Sequence, residues 1–309
     1  MEIHRHVEKI RRRIETPVLT LGNFDGVHEG HRAIFSRVVD TAREIRGTPT
    51  ALTFHPHPAA VLTPQRAPAR LTDWRARMER MAAAGIGVAI VQRFTRRFSE
   101  IDPVDFVERL LVDGLGVGAI VVGHRVSFGH RRRGNAAVLQ ELGSRHGFSV
   151  EVVGPVEVDG FEVSSSAIRK AIAEGDLARA AHLLGGDPIV AGRVGHGDRR
   201  GASLGFPTAN IPVAGWAVPP DGVYAVAAFV GGEVHPAVAN LGRKPTFGEA
   251  ARGLEVHLLD FEGDLYGARL EARLLARLRG EQKFAGPKEL VAQIARDVEA
   301  ARVLFSSTE

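Results

Sequence analysis

From residue 17 to about residue 155 the chain alternates short apolar, β-prone runs with helix-like segments, and this alternation limits the possible folds more than any other feature. Strands are expected at 17–21, 49–54, 87–91, 118–122 and 149–153, with helical patterns at 30–46, 72–84, 103–114 and 135–146. Thr72/Asp73 and Asp102/Pro103 are good helix starts, supplying a capping oxygen or a proline pre-set for the first turn. Strand–helix–strand repetition implies βαβ units and a parallel sheet, whose ligands bind at the carboxyl ends of the strands. Gly114, Gly116 and Gly118 precede a strand instead of following one, so they read as a helix-ending loop and not as a dinucleotide fingerprint.

The pattern then changes. Helices are expected at 165–174 and 176–184, and Gly-Gly-Asp-Pro (185–188) marks a boundary. Runs at 223–230 and 233–240 flank a Gly-Gly turn, and runs at 254–261 and 268–277 flank Glu-Gly-Asp-Leu-Tyr-Gly, which are hairpin signals. A mainly antiparallel unit of small-barrel type follows, closed by a helix over 287–304 with Leu290, Ile294 and Val298 on one face. The expected domains are 1–185 and 186–309, each long enough to bury a core.

Composition removes several classes of function. Hydrophobic content of 44% and charged content of 25% are those of a soluble globular protein. No apolar run approaches the roughly 18 residues of a membrane helix, and the charged first residues lack a signal core. The absence of Cys excludes disulfides and suits a cytoplasmic setting. A net charge of +4 favours anionic substrates without demanding nucleic acid. A monomer or weak oligomer is expected.

The first chemical motif is Gly-Asn-Phe-Asp-Gly-Val-His-Glu-Gly-His, residues 22–31. His28 and His31 lie three apart at a helix start, where unpaired N–H groups and the helix dipole attract anions. Gly22, Gly26 and Gly30 let the backbone turn sharply and approach a ligand. The arrangement suits a nucleoside triphosphate, although strand–turn–helix corners occur in any α/β protein. Zinc fits less well, because the pair lacks the i,i+4 spacing of a His-Glu-x-x-His helix. Two further stretches fall where such a sheet places ligands. The Gly- and Arg-rich loop 121–134 reads equally as a solvated basic loop, and Ser164, Ser165 and Arg169 read equally as a helix cap or a phosphate clamp. In the second domain, 192–210 combines a Gly-rich run with Pro-Thr-Ala-Asn, whose oxygens suit Mg²⁺. No Gly-x-x-x-x-Gly-Lys-Ser/Thr occurs, so a kinase here is not of P-loop type.

Taken together, 22–31, Phe-His-Pro-His-Pro (54–58), Val-Val-Gly followed by Phe-Gly, and Val-Ser-Ser-Ser-Ala-Ile-Arg resemble the adenylyltransferase module of bacterial bifunctional riboflavin kinase/FAD synthetases. The resemblance spans most of 15–185 and implies a Rossmann-like nucleotidyltransferase sheet. It implies that His28, His31 and Arg169 stabilise charge as pyrophosphate leaves. Gly22, Asn23, Asp25, Ser164 and Ser165 would bind ATP, and Phe54, Pro56, Pro58 and Phe128 the flavin. Where that family carries Asn or Asp after Val-Val-Gly, this chain has Arg125. That difference motivates an alternative, a riboflavin kinase with a weakened or inactive adenylyltransferase domain.

Gly-Phe-Pro-Thr-Ala-Asn, Gly-Val-Tyr (222–224), Asn-Leu-Gly-Arg-Lys-Pro-Thr-Phe (240–247) and Leu-Glu-Val-His-Leu-Leu-Asp-Phe (254–261) resemble the riboflavin kinase module, a six-stranded barrel, over 186–305. By that resemblance Thr208 and Asn210 hold Mg²⁺–ATP, Gly195, His196 and Gly197 lie against the phosphates, and Glu255 is the general base. Arg279 and Phe284 would close the flavin site. On its residues alone Glu255 reads as an outward side chain alternating with Leu254, Val256 and Leu258. The implied substrates are ATP, riboflavin and FMN. An RNA-binding protein using Arg131, Arg132 and Arg133 is a rival of another class, and would bind RNA with a steep salt dependence.

Overall fold

Every residue of Pro17–Leu21 is buried, which a strand achieves only in a sheet covered on both faces. The computed structural model describes residues 1–10, 12–197, 201, 204–243 and 252–306, and divides them into two units. The first unit comprises Met1–Pro68 and Trp74–Ser164, and the second Ala69–Asp73 and Ser165–Glu309.

The first unit holds β1 (Glu2–Arg5), β2 (Pro17–Leu21), α1 (Glu29–Glu44), β3 (Thr48–His55), α2 (Trp74–Ala83), β4 (Val88–Arg93), a helix of π-type hydrogen bonding labelled α3 (Phe106–Leu115), β5 (Ala119–Gly123), α4 (Ala136–His146) and β6 (Ser149–Val153). The six strands form one parallel sheet in the order β1-β4-β3-β2-β5-β6. Alternate residues feed opposite cores. Val18, Ala51, Ala89 and Val121 face Phe35 and Val38 of α1 and Met78 and Met81 of α2. Leu19, Leu52, Ile90 and Ile120 face Phe106 and Leu111 of α3 and Leu139 and Leu142 of α4. After β2 the chain winds outward through β3 and β4, then crosses back to β5, so the strand order reverses between β2 and β5. Ligands of doubly wound sheets bind at such a reversal. Gly116, left-handed at φ 65°, ends α3, as the helix-ending reading of the three glycines requires. A small hairpin, β7 (Glu157–Val158) and β8 (Phe161–Glu162), precedes Ser164.

The second unit begins with α5 (Ser165–Glu174) and α6 (Leu177–Leu184). Next come β9 (Ile189–Arg193), β10 (Ala209–Pro212), β11 (Gly222–Val230), β12 (Glu233–Arg243), β13 (Arg252–Leu258), β14 (Arg269–Arg279) and α7 (Pro287–Ser306). All pairings are antiparallel, in the order β10-β13-β12-β11-β14-β9. The two outer strands meet where Gly195 N–H donates to the Asn210 carbonyl at 2.8 Å, curling the sheet almost to closure. Val298 and Ala301 of α7 pack on Val223, Ala225 and Val238 of the barrel wall.

Five strands were not foreseen from the sequence: β1, β9, β10 and the two-residue strands β7 and β8. β1 is mostly exposed and carries charged or imidazole side chains, β10 is four residues long, and β9 follows Asp-Pro directly. None offers the long apolar alternation by which a strand is recognised.

Candidate active sites

The first site is built on the turn from β2 to α1. His28 caps α1: its Nδ1 accepts the backbone N–H of His31 at 3.3 Å, so a neutral His28 carries its proton on Nε2. The two rings are stacked, with centroids 3.6 Å apart and planes 16° apart. Phe24 packs edge-on against His31 at 5.3 Å, backed by Phe35 at 4.9 Å. Burial first, then His28 and Arg77, holds His31 well below the usual imidazole range, so its ring is neutral near pH 7. Its Nδ1 and the Oδ1 of Asn23 are buried without a hydrogen-bond partner among the described residues. Such atoms are costly unless something else satisfies them, as a bound ligand would. Asp25 is buried in the same turn. The glycines have separate reasons: Gly26 has φ 91°, while a Cβ at Gly22 would stand 3.0 Å from the Phe24 ring. At Gly30 a Cβ would lie 3.3 Å from the His28 ring and 3.6 Å from the Val163 carbonyl, which brings the chain just before Ser164 to this corner.

Phe54, near the end of β3, is half-buried and lies 5.8 Å from Phe94 and 5.9 Å from Phe98. Pro56 is exposed, and Pro58 opens a single helical turn capped by His57. Phe128 is buried in the core 5.4 Å from Phe106, pressed against Gly134, and offers little surface to a ligand. The exposed Arg125 donates to Glu162 at 2.7 Å. Arg133 pairs with Asp102 at 2.9 Å and Arg132 donates to Ser127 at 2.9 Å, so this basic loop spends cations on its own surroundings. Ser165 opens α5, on which Arg169 donates Nε to the Ala69 carbonyl at 2.5 Å.

The second site lies on the barrel. Glu255 of β13 stands directly opposite Asn210 of β10 on one side and Asn240 of β12 on the other. Residues opposite one another in a sheet project from the same face, so the carboxylate is flanked by two carboxamides. Glu255 and His257 line a cavity of about 640 Å³, together with Thr208, Asn240, Arg279 and Phe284. Val256 and Leu258, of opposite parity, line a second cavity of about 140 Å³ that also touches Thr208. A Cβ at Gly197 would run into the Asn210 carboxamide, so backbone of the Gly-rich segment rests directly on that side chain. His196 lies against Tyr266 at 4.2 Å between centroids. The Thr208 hydroxyl and the Asn210 carboxamide are hard oxygen donors that fit Mg²⁺ carried in with phosphates. Residues 198–200 and 202–203 of the 192–210 segment and 244–247 of the 240–247 motif lie outside the described residues.

Residues 10–167 match the family model for FAD synthetase, and residues 184–305 that for riboflavin kinase. The bifunctional riboflavin kinase/FMN adenylyltransferase of Escherichia coli (strain K12) is 41% identical over 293 residues, 94% of each chain. The chain belongs to this bifunctional family. The Pseudomonas fluorescens member is 42% identical over 307 residues, covering 98% of each. A crystal structure described as a macrolide-efflux protein from Streptococcus pneumoniae superposes with a TM-score of 0.86 at 28% identity, covering 98% of this chain and 99% of that one. The efflux role belongs to the description of that protein; among the residues described here, no helix is long and apolar enough to cross a membrane.

The family's FAD synthetase domain thus contains the stacked histidines, and its riboflavin kinase domain contains Glu255 with Thr208 and Asn210. Motif reading missed Asn240 as Glu255's second neighbour, Asp297 as the partner of Arg279, and Arg77 and Arg80 behind the β2–α1 turn. Asn240 stood inside a quoted motif, and cross-strand register alone identifies its role. Nothing local marks Asp297, because Arg279 lies 18 residues away in another element.

Proposed function

We propose that the chain phosphorylates riboflavin to FMN at the barrel, then transfers AMP from ATP to FMN at the parallel-sheet domain. The single observation carrying this reading is Glu255 set opposite Asn210 on the wall of a cavity shared with Thr208. In the first reaction the ribityl 5′-hydroxyl oxygen bonds to the γ-phosphorus of ATP, the bond to the β-phosphate breaks, and ADP leaves. Glu255 orients the hydroxyl and accepts its proton. Phosphoryl transfer is loose, so the base serves mainly to orient the hydroxyl. Thr208 and Asn210 hold Mg²⁺–ATP, Gly195, His196 and Gly197 lie along its phosphates, and Arg279 and Phe284 bound the flavin. Bound Mg²⁺ would neutralise phosphate charge.

In the second reaction an FMN phosphate oxygen attacks the α-phosphorus of ATP and pyrophosphate leaves. Positioning and neutralisation carry such a step. His28, His31 and Arg169 stabilise the charge, Gly22, Asn23, Asp25, Ser164 and Ser165 bind the nucleotide, and Phe54, Pro56 and Pro58 shape the flavin side, while the buried Phe128 only supports the core beneath it. We set the functional boundary at 185/186, beyond the end of the FAD synthetase match at 167 and two residues inside the riboflavin kinase match, which begins at 184. The protein acts in the cytoplasm as a monomer or weak oligomer, without nucleic acid.

Chromatography of flavins after incubation with riboflavin, ATP and Mg²⁺ tests the reading. Wild type should yield FAD, Glu255→Gln should leave riboflavin unchanged yet convert supplied FMN, and His28→Ala with His31→Ala should stop at FMN. Unchanged riboflavin with wild type would reject the kinase assignment.

A further inference from the structure

The turn that carries the nucleotide motif is strained. Phe24 and Val27 both have φ 49°, and Gly26 has φ 91°. A β-branched residue at positive φ is a true outlier and persists only where its surroundings hold it. Two buried or half-buried cations from α2 do the holding. Arg77 donates Nη1 to the Asn23 carbonyl at 2.7 Å, and Arg80, three residues on, donates Nη1 to the Gly26 carbonyl at 2.9 Å. Thr53 adds a longer bond to the same Asn23 oxygen, at 3.3 Å. Arg77 is itself fixed, being 9% exposed with its guanidinium 5.3 Å from the Trp74 ring.

A trans peptide that points its carbonyl to one side points the next N–H to the other, so Arg77 turns the Phe24 N–H away from α2, while the Val27 N–H that follows the Gly26 carbonyl closes the turn on the Phe24 carbonyl at 3.2 Å. Carbonyl oxygens facing a triphosphate repel it, whereas N–H groups attract it. We propose that Arg77 and Arg80 are positioning residues for adenylyl transfer: they draw the Asn23 and Gly26 carbonyls toward α2 and lock the turn in its phosphate-accepting form. The inference rests on the adenylyltransferase reading given above. Arg77 contributes in a second way. It is among the groups that keep His31 neutral, so its charge is felt at the stacked imidazoles where the anion would lie.

The full-length protein provides its own control, because the riboflavin kinase reaction uses other residues. FAD formation from FMN and ATP should be followed in wild type, Arg77→Met, Arg77→Lys and Arg80→Met, with FMN formation from riboflavin measured on the same samples. Arg77→Met should lose about tenfold or more in kcat/KM for ATP, mainly through KM, while FMN formation stays at the wild-type rate. Arg77→Lys, which keeps the charge but loses the planar fork, should fall between the two. Arg77→Met within about twofold of wild type would overturn the proposal. Should that variant lose both reactions through unfolding, Arg77→Lys and Arg80→Met decide, and an unchanged KM for ATP in both would overturn it equally. A wild type that makes FMN but no FAD would instead reject the adenylyltransferase reading itself.

Discussion

The Arg279 guanidinium lies against both carboxylate oxygens of Asp297, with contacts of 2.9–3.1 Å, and joins the last barrel strand to the closing helix. Asp297 is 5% exposed and also accepts from Gln293 at 2.8 Å, while Arg279 stands 5.6 Å over the Phe284 ring. All but Gln293 line the larger cavity, so one ion pair sets the position of its helical wall. Removing one partner of this part-buried pair leaves the other charge uncompensated and costs about 1–3 kcal/mol. Asp297→Asn should therefore lower the unfolding midpoint of the barrel domain and raise KM for riboflavin several-fold. FAD formation from supplied FMN should persist. Thermal unfolding together with both activity assays checks this, and an unchanged riboflavin KM would count against the cavity assignment.

Gly197 tests the ATP side of the same domain without touching charge. Its φ is not left-handed, so Gly197→Ala adds no backbone strain, only a methyl against Asn210. The expected outcome is a KM for ATP in the kinase reaction raised by about tenfold, with adenylyl transfer unaffected. Steady-state kinetics over an ATP series measures it.

His31 makes stability depend on pH. Its unfolded pKa is near 6.5 and its folded value is well below that, so between the two the unfolded chain binds more protons. Stability is then intact above about pH 6.5, declines as pH falls through that window, and levels off once folded His31 is also protonated. His31→Gln should remove this part of the acid slope, as urea midpoints from about pH 8 to about pH 5 would record. A bound triphosphate favours the charged ring, so ATP binding should take up protons. Calorimetry in buffers of different ionisation heat would detect the uptake.

Arg125 separates the bifunctional reading from a kinase with a failing partner domain. Its cation is exposed and engaged by Glu162, an arrangement worth at most about 1 kcal/mol. Arg125→Asn should leave stability nearly unchanged and FAD formation close to wild type. A large gain in FAD formation would show that Arg125 obstructs the site.

Much of this was legible locally. Apolar runs and period-3.6 patterns located the parallel strands and their helices, since a strand buried on both faces must read as an apolar run and its crossover helix as an amphipathic one. The glycine–histidine motif and Pro-Thr-Ala-Asn marked the two corners proposed to bind nucleotide, because phosphate chemistry needs free N–H groups, imidazoles and hard oxygens close together in the chain. By contrast, β1 and β10 lack apolar alternation, and their places in the sheets come from pairing with distant β4 and β13.

Sequence alone therefore determined the order of the modules and the chemical inventory of each corner, because those reside in residue type and short spacing. Only the tertiary structure decided that Asn210 and Asn240 flank Glu255, that Asp297 holds Arg279, and that Arg77 and Arg80 bond the carbonyls of the β2–α1 turn. Each is a contact between side chains or strands far apart in the chain. Cross-strand register and helix docking bring them together, and no local pattern encodes either one.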